Sequence, residues 1–232
     1  MRRRAFTFAE LLIVIMIIAV LIALLTPMIA RAWEQARQVQ CMSNIRQVTQ
    51  AVLQYAADAD GQFLRLDRNH AQLGLAGDEA NSEVILPLNQ FLHSSAVFHC
   101  PSDPRDKRLS YSISDYLGGT WPSYTHRAKR VLDVTNPATT FAVIEETDFF
   151  PKVSNDPGGF VVEPPGTALA FVWQDAPAVL HGDGTCITFV DGHCEYWVWQ
   201  DARTRTLSAQ KHGTQTPDNP DLTRLQAASG GQ

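Results

Sequence analysis

Apolar positions along the chain change their spacing twice. Residues 11–30 contain no charged side chain. As a helix, 20 such residues extend roughly 30 Å, the thickness of a bilayer core. Beyond Arg31 the apolar positions narrow to a stripe. Cys41, Ile45, Val48, Val52 and Tyr55 recur at alternating spacings of four and three, with Leu53 and Ala56 beside them. That spacing keeps them on one face of a helix. Arg37, Gln38, Arg46, Gln47 and Gln50 supply the polar faces, and no Gly or Pro interrupts residues 31–58. Asp60-Gly61 is a suitable stop. The pattern predicts one helix from about Phe6 to about Asp58, bent near Pro27 because a proline inside a helix removes a backbone donor.

After Gly61 the pattern becomes shorter and less regular. Residues 81–92 predict a short helix limited by Pro87, and residues 110–113, 139–145 and 170–173 predict strands. Proline and glycine between residues 151 and 166 mark a loop. The strongest β signal is residues 186–190 and 193–199 flanking Asp191-Gly192. Asp-Gly favours a two-residue type I′ turn. That register places Val190 opposite His193, Phe189 opposite Cys194 and Cys186 opposite Trp197. From about residue 203 the chain turns polar, which predicts a flexible tail over 203–232. The fold class expected is α+β: a long N-terminal helix packed on an antiparallel sheet in a head spanning residues 61–202.

Composition changes this picture in one respect. The net charge is −5, and without Arg2, Arg3 and Arg4 the remaining 16 Lys+Arg face 24 Asp+Glu. Such a balance lacks the clustered cations that nucleic-acid phosphates require. The three arginines lie directly before the apolar run and predict a cytoplasmic N-terminus, with the rest of the chain outside the inner membrane.

Glu10 sets the N-terminus apart from an ordinary anchor. A carboxylate at the edge of a membrane helix is unfavourable and calls for a partner. A plain anchor accounts for the apolar run but not for this acid. A secretory signal would be cut near Ala30-Arg31-Ala32, but its apolar core is normally shorter.

The run R-R-R-A-F-T-F-A-E-L-L-I-V-I-M resembles the signal of type IV prepilins and type II secretion pseudopilins. The resemblance implies cleavage between Ala5 and Phe6 by a prepilin peptidase, with N-methylation of Phe6. Residues 1–5 would be the leader, 6–30 the transmembrane and assembly helix, and 31–60 its amphipathic continuation. Glu10 would meet the new N-terminus of a neighbouring subunit, and Pro27 sits where the family often has a kinking proline. Ala5 stands where the family usually has glycine. The segment R-Q-V-Q-C-M-S-N-I-R-Q-V resembles the major-pseudopilin-like group whose members carry a C-terminal His-x9-Asp-Gly motif. Here His181 is followed by nine residues and then Asp191-Gly192. Phe98-His99-Cys100-Pro101-Ser102-Asp103 resembles that group's CPSD-type loop. The implied role is a structural subunit of a pseudopilus or pilus-like fibre. It would be single-pass in the inner membrane with a periplasmic head, and its partners would be other subunits and an assembly platform.

Candidate chemistry in the head is sparse. His181, Asp183, Asp191, His193 and Glu195 lie within 15 residues. They offer ligands to a zinc-like ion, whereas calcium would use oxygens alone. The simpler reading makes both glycine-containing segments turns, with His181 hydrogen-bonded to the hairpin backbone. No nucleophile elbow, phosphate-binding glycine loop or H-E-x-x-H sequence is present, so no catalytic residue and no cofactor is expected. The competing function is a membrane-tethered periplasmic domain that binds a metal or ligand around His181 and His193. Of the four cysteines, Cys41 and Cys100 form the candidate disulfide, which would tie helix to head.

Overall fold

The computed structural model describes residues 8–66, 88–92, 94–104, 110–119, 127–147, 159–207 and 213–230. The cleavage residues Ala5 and Phe6, and most of the expected helix at 81–92, lie outside them. The architecture is α+β, with a long N-terminal helix and a mixed sheet. The chain divides into two units, one up to Arg37 and one from Gln38 onward.

Helix α1 (Phe8–Asp58) continues through Pro27. In the first unit its most apolar 18 residues have a mean hydropathy of 3.1, and none of them is buried. This segment is long and apolar enough to cross a membrane. In the second unit the same helix buries Cys41, Asn44, Ile45, Val48, Thr49, Ala51, Val52 and Ala56. The predicted stripe is present, except that Ala56 rather than Tyr55 occupies its buried end.

Strands β1 (Tyr111–Ser114), β2 (Phe141–Thr147), β3 (Gly159–Phe160), β6 (Gly184–Phe189) and β7 (Cys194–Val198) form a sheet in the order β3-β1-β2-β6-β7, with β5 (Ala176–Pro177) also paired to β2. A separate pair joins β4 (Val172–Trp173) to β8 (Thr214–Gln215). The expected antiparallel sheet is therefore mixed, because β3 pairs parallel with β1. β3 falls inside the stretch expected to be loop. Phe160, Val161 and Val162 are buried there, so apolar burial overrides the nearby turn residues.

The β6–β7 hairpin forms, with a register one residue away from the expected one. Cys186 pairs with Tyr196, and Thr188 with Cys194. Phe189 accepts from the Gly192 N–H at 2.9 Å and donates to the His193 carbonyl at 3.0 Å, leaving a three-residue loop. Only Gly192 of the Asp-Gly pair has positive φ, at 91°. A type I′ turn needs positive φ at both residues, whereas a type I turn closed by a glycine needs it at one.

Each face of the sheet has its own core. On one face, Ile45, Val48 and Val52 of α1 pack with Ile113, Val143 and Cys186. Thr49 of α1 meets Thr188 of β6 across this interface, hydroxyl to hydroxyl at 2.6 Å. On the other face, Phe141, Ile144, Phe160, Ile187 and Trp197 pack with Leu207, Leu222 and Leu225.

The second core corrects the expectation of a flexible tail over 203–232. Its described residues include α2 (Ala202–Arg205) and α3 (Pro220–Ala227). Asn219 caps α3 by accepting from the Asp221 and Leu222 N–H groups, and Pro220 occupies its first turn. Asp221 accepts from the Gln200 and Asp201 N–H groups at 3.0 and 2.8 Å. Phe141 N–H of β2 donates to the Ala228 carbonyl at 2.8 Å. A sheet apolar on both faces requires a cover on each, and this segment supplies the second.

Leu225→Ala is expected to cost about 2–5 kcal/mol, as deletion of a fully buried leucine does. Denaturant unfolding of the full chain in detergent, followed by tryptophan fluorescence, measures it. A cost near zero would restore the flexible-tail reading.

Candidate functional site

Four buried side chains from distant segments converge where α1 meets the sheet. They are Cys41 of α1, Cys100 of the CPSD loop, Glu145 of β2, and His181 just before β6. The Cys41 and Cys100 sulfurs, one His181 ring nitrogen and one Glu145 oxygen lie within 4.8 Å of one another. Cys41, Cys100 and Glu145 are fully buried, and His181 is 2% exposed.

Glu145 occupies this position because β2 alternates its side chains. Val143 joins the α1-facing core and Ile144 the opposite one. Glu145 therefore faces α1, and it stands opposite Tyr111 in the β1–β2 register. Its Oε2 accepts from the Cys186 N–H at 2.6 Å and from the Thr185 hydroxyl at 3.2 Å. Its Oε1 accepts from the Cys41 thiol at 2.7 Å and lies 3.2 Å from His181 Nε2. A buried carboxylate loses several kcal/mol of solvation, which only such donors and a charge partner offset.

Cys100 is fixed by its own loop. Its N–H donates to the Ser110 hydroxyl at 3.0 Å, and that hydroxyl donates to Asp103 Oδ2 at 2.7 Å. The Cys100 carbonyl accepts from the Asp103 N–H, closing a turn. Asn44 of α1 donates to the neighbouring His99 carbonyl at 3.2 Å. The sulfur then sits 3.2 Å from His181 Nε2. His181 is held from the other side, where the Tyr196 hydroxyl donates to its carbonyl. Tyr196 crosses over Gly184, where a Cβ would collide with its ring and with the Trp197 carbonyl. A glycine is therefore required for β6 to begin beside His181.

The electrostatics follow from this burial. Burial alone would push the His181 imidazole down, but the Cys100 hydrogen bond and the Glu145 carboxylate outweigh it and raise it to about 10. Burial pushes the Cys41 thiol far above the usual thiol range, and the hydrogen bond to Cys41 followed by burial does the same to Cys100. Tyr111, whose hydroxyl is 3.0 Å from the Cys41 sulfur, is pushed up for the same reason, desolvation first and the neighbouring sulfur second. Such thiols are poor nucleophiles, since attack requires the thiolate. Together the four side chains could hold a metal ion.

The structure redistributes the residues singled out in the sequence. His181 joins the buried cluster, while Asp191, Gly192 and His193 lie past the far end of β6. Six strand residues separate them by roughly 20 Å. His193 sits between Asp191, at 2.5 Å, and Glu195, at 3.5 Å, on the exposed hairpin. Hydrogen bonds from His193 outweigh a little desolvation and draw the Asp191 carboxyl below its usual range. Asp183 instead pairs with Arg205 at 3.2 Å. The five-residue ligand set imagined from the sequence is thus not one site. Cys41 and Cys100 do meet, as free thiols. Glu10 and Pro27 lie on α1 in the first unit, remote in sequence from this cluster. Glu145 was missed. Its signal was an acid inside a strongly apolar strand, F-A-V-I-E-E.

Stability should respond to pH through His181. A raised folded-state value contributes stability that is complete below the ordinary 6.5 and lost as pH climbs through about 10. The raised thiols add a loss of the same sign that begins only near 9. In EDTA, the urea midpoint should therefore fall between pH 6.5 and 9, and His181→Gln should flatten that part of the curve. An equal slope in both proteins would refute the buried His181–Glu145 pair. Compared with family models, curated proteins and solved structures, the chain finds no match.

Proposed function

We propose that the protein is a prepilin-like structural subunit, trimmed at its N-terminus and assembled through α1 with other such subunits. One observation carries this reading. Sixteen large apolar side chains between Phe8 and Ile29 are exposed. Each gains roughly 1.5–3 kcal/mol on leaving water, so the segment requires an apolar surrounding. A membrane supplies one before assembly, and a bundle of like helices supplies one afterwards. The helix then continues past Arg37 into a unit that it helps to build, so that anchor and head share one continuous element.

On this reading, Arg2, Arg3 and Arg4 hold the leader in the cytoplasm and the head lies outside the inner membrane. A prepilin peptidase cuts between Ala5 and Phe6. Glu10 then pairs with the amine of a neighbouring subunit, an attraction that strengthens in a low-dielectric surrounding. The partners are the peptidase, other subunits and an assembly platform, and no catalytic step is assigned to the head. A second reading, a tethered metal- or ligand-binding domain, is favoured by the buried cluster rather than by the His181–His193 pocket first expected for it.

N-terminal sequencing of the membrane fraction should find a chain beginning at methylated Phe6. A chain beginning at Trp33, or only the uncut form, would reject the proposal. Glu10→Ala should still insert but should be lost from fibres; normal incorporation would remove Glu10 from the assembly step.

A further inference from the structure

We infer that Cys41, Cys100, Glu145 and His181 form a four-coordinate site for a zinc-type divalent cation, which clamps α1, the CPSD loop, β2 and the start of β6 together. The inference is independent of fibre assembly, because all four residues belong to the unit beginning at Gln38.

The donor set points to the class of ion. Two sulfurs and an imidazole nitrogen suit zinc, cobalt or cadmium, and a single carboxylate completes four ligands. Calcium and magnesium, which take oxygen ligands, find one carboxylate and two sulfurs here. The spacing fits as well. Zinc–ligand bonds of about 2.0–2.3 Å give a tetrahedron with edges of about 3.3–3.8 Å. The His181–Glu145 and His181–Cys100 edges are each 3.2 Å. The Cys41–Glu145 edge, 2.7 Å, opens by under about 1 Å to reach that range.

The surroundings orient each ligand. Backbone and hydroxyl donors hold Glu145 Oε2, leaving Oε1 directed at the other three groups. The Tyr111 hydroxyl meets the Cys41 sulfur, where it can donate to a thiolate. Ser110 and Asp103 fix the backbone of Cys100. Partners of this kind set ligand orientation and basicity in metal sites. Coordination displaces the protons of both thiols and of His181 Nε2 to solvent. The cation's two positive charges then meet two thiolates and one carboxylate, and the neutral imidazole is the fourth ligand. With four protein ligands, all buried, no position remains for substrate, so the ion is structural. It joins segments 140 residues apart, from Cys41 to His181, and its binding free energy becomes folding free energy.

The test uses the full chain, purified in detergent under reducing conditions and loaded with Zn(II) or Co(II). The wild type should retain about one ion per chain after excess is removed, as expected for a single closed site. The Co(II) form should show an intense thiolate-to-cobalt charge-transfer band, which Zn(II) abolishes. Zn(II) should raise the melting temperature. Tyr111→Phe should weaken Zn(II) binding about 10–100-fold, as loss of a supporting partner does. Cys100→Ser should lose much of the band, whereas Cys194→Ser, outside the cluster, should keep it. A folded wild type that retains no ion and shows no band would overturn the site. So would equal loss in Cys194→Ser and Cys100→Ser, or a Cys41–Cys100 disulfide whose reduction restores no binding. If Cys100→Ser fails to fold, the wild-type cobalt spectrum still decides, since two thiolates are required for its intensity.

Discussion

A carboxylate removed from water at the centre of the sheet is the constraint on which the second unit depends. Glu145 stands on β2, with β1 and β6 on either side. Its two oxygens are satisfied by a backbone N–H and a hydroxyl from β6, a thiol from α1 and the His181 imidazole. Leaving any of these unmade would strand a buried polar group. The docking of α1, the register of β2 against β6 and the placement of His181 are therefore coupled through one side chain. Apolar burial supplies the driving force for this packing but is non-directional. The polar cluster is directional, and it selects one arrangement among the many that would bury the same residues.

The two stretches of α1 are adapted to different surroundings within one element. Upstream, every large apolar side chain from Phe8 to Ile29 faces outward, which suits a lipid or helical environment. Downstream, one stripe is buried and most of the exposed positions are polar, Trp33 and Val39 excepted, which suits packing against a sheet in water. One continuous helix lets both stretches coexist without an intervening loop. The other face of the sheet is closed by Leu207, Leu222 and Leu225, so the head carries a separate core on each side.

Local pattern carried much of this architecture. The apolar run, the stripe at Cys41, Ile45, Val48 and Val52, and the existence of the β6–β7 hairpin rest on short-range periodicity, which a chain displays before it folds. The C-terminal segment was misread because its composition is polar, although Asn219-Pro220 followed by Leu222 and Leu225 is a cap with an apolar pair behind it. The hairpin register moved by one residue because Asp-Gly permits more than one turn, and pairing along the whole strand selects among them.

Sequence alone determined the long helix, its apolar and amphipathic stretches and the hairpin, and it singled out His181 without its partner set. Tertiary structure alone decided that His181 belongs with Cys41, Cys100 and Glu145 rather than with Asp191 and His193. The physical reason is distance. A strand carries its two ends roughly 20 Å apart, so neighbours in sequence become strangers in space. Residues over a hundred positions apart are brought together only when helix and sheet pack.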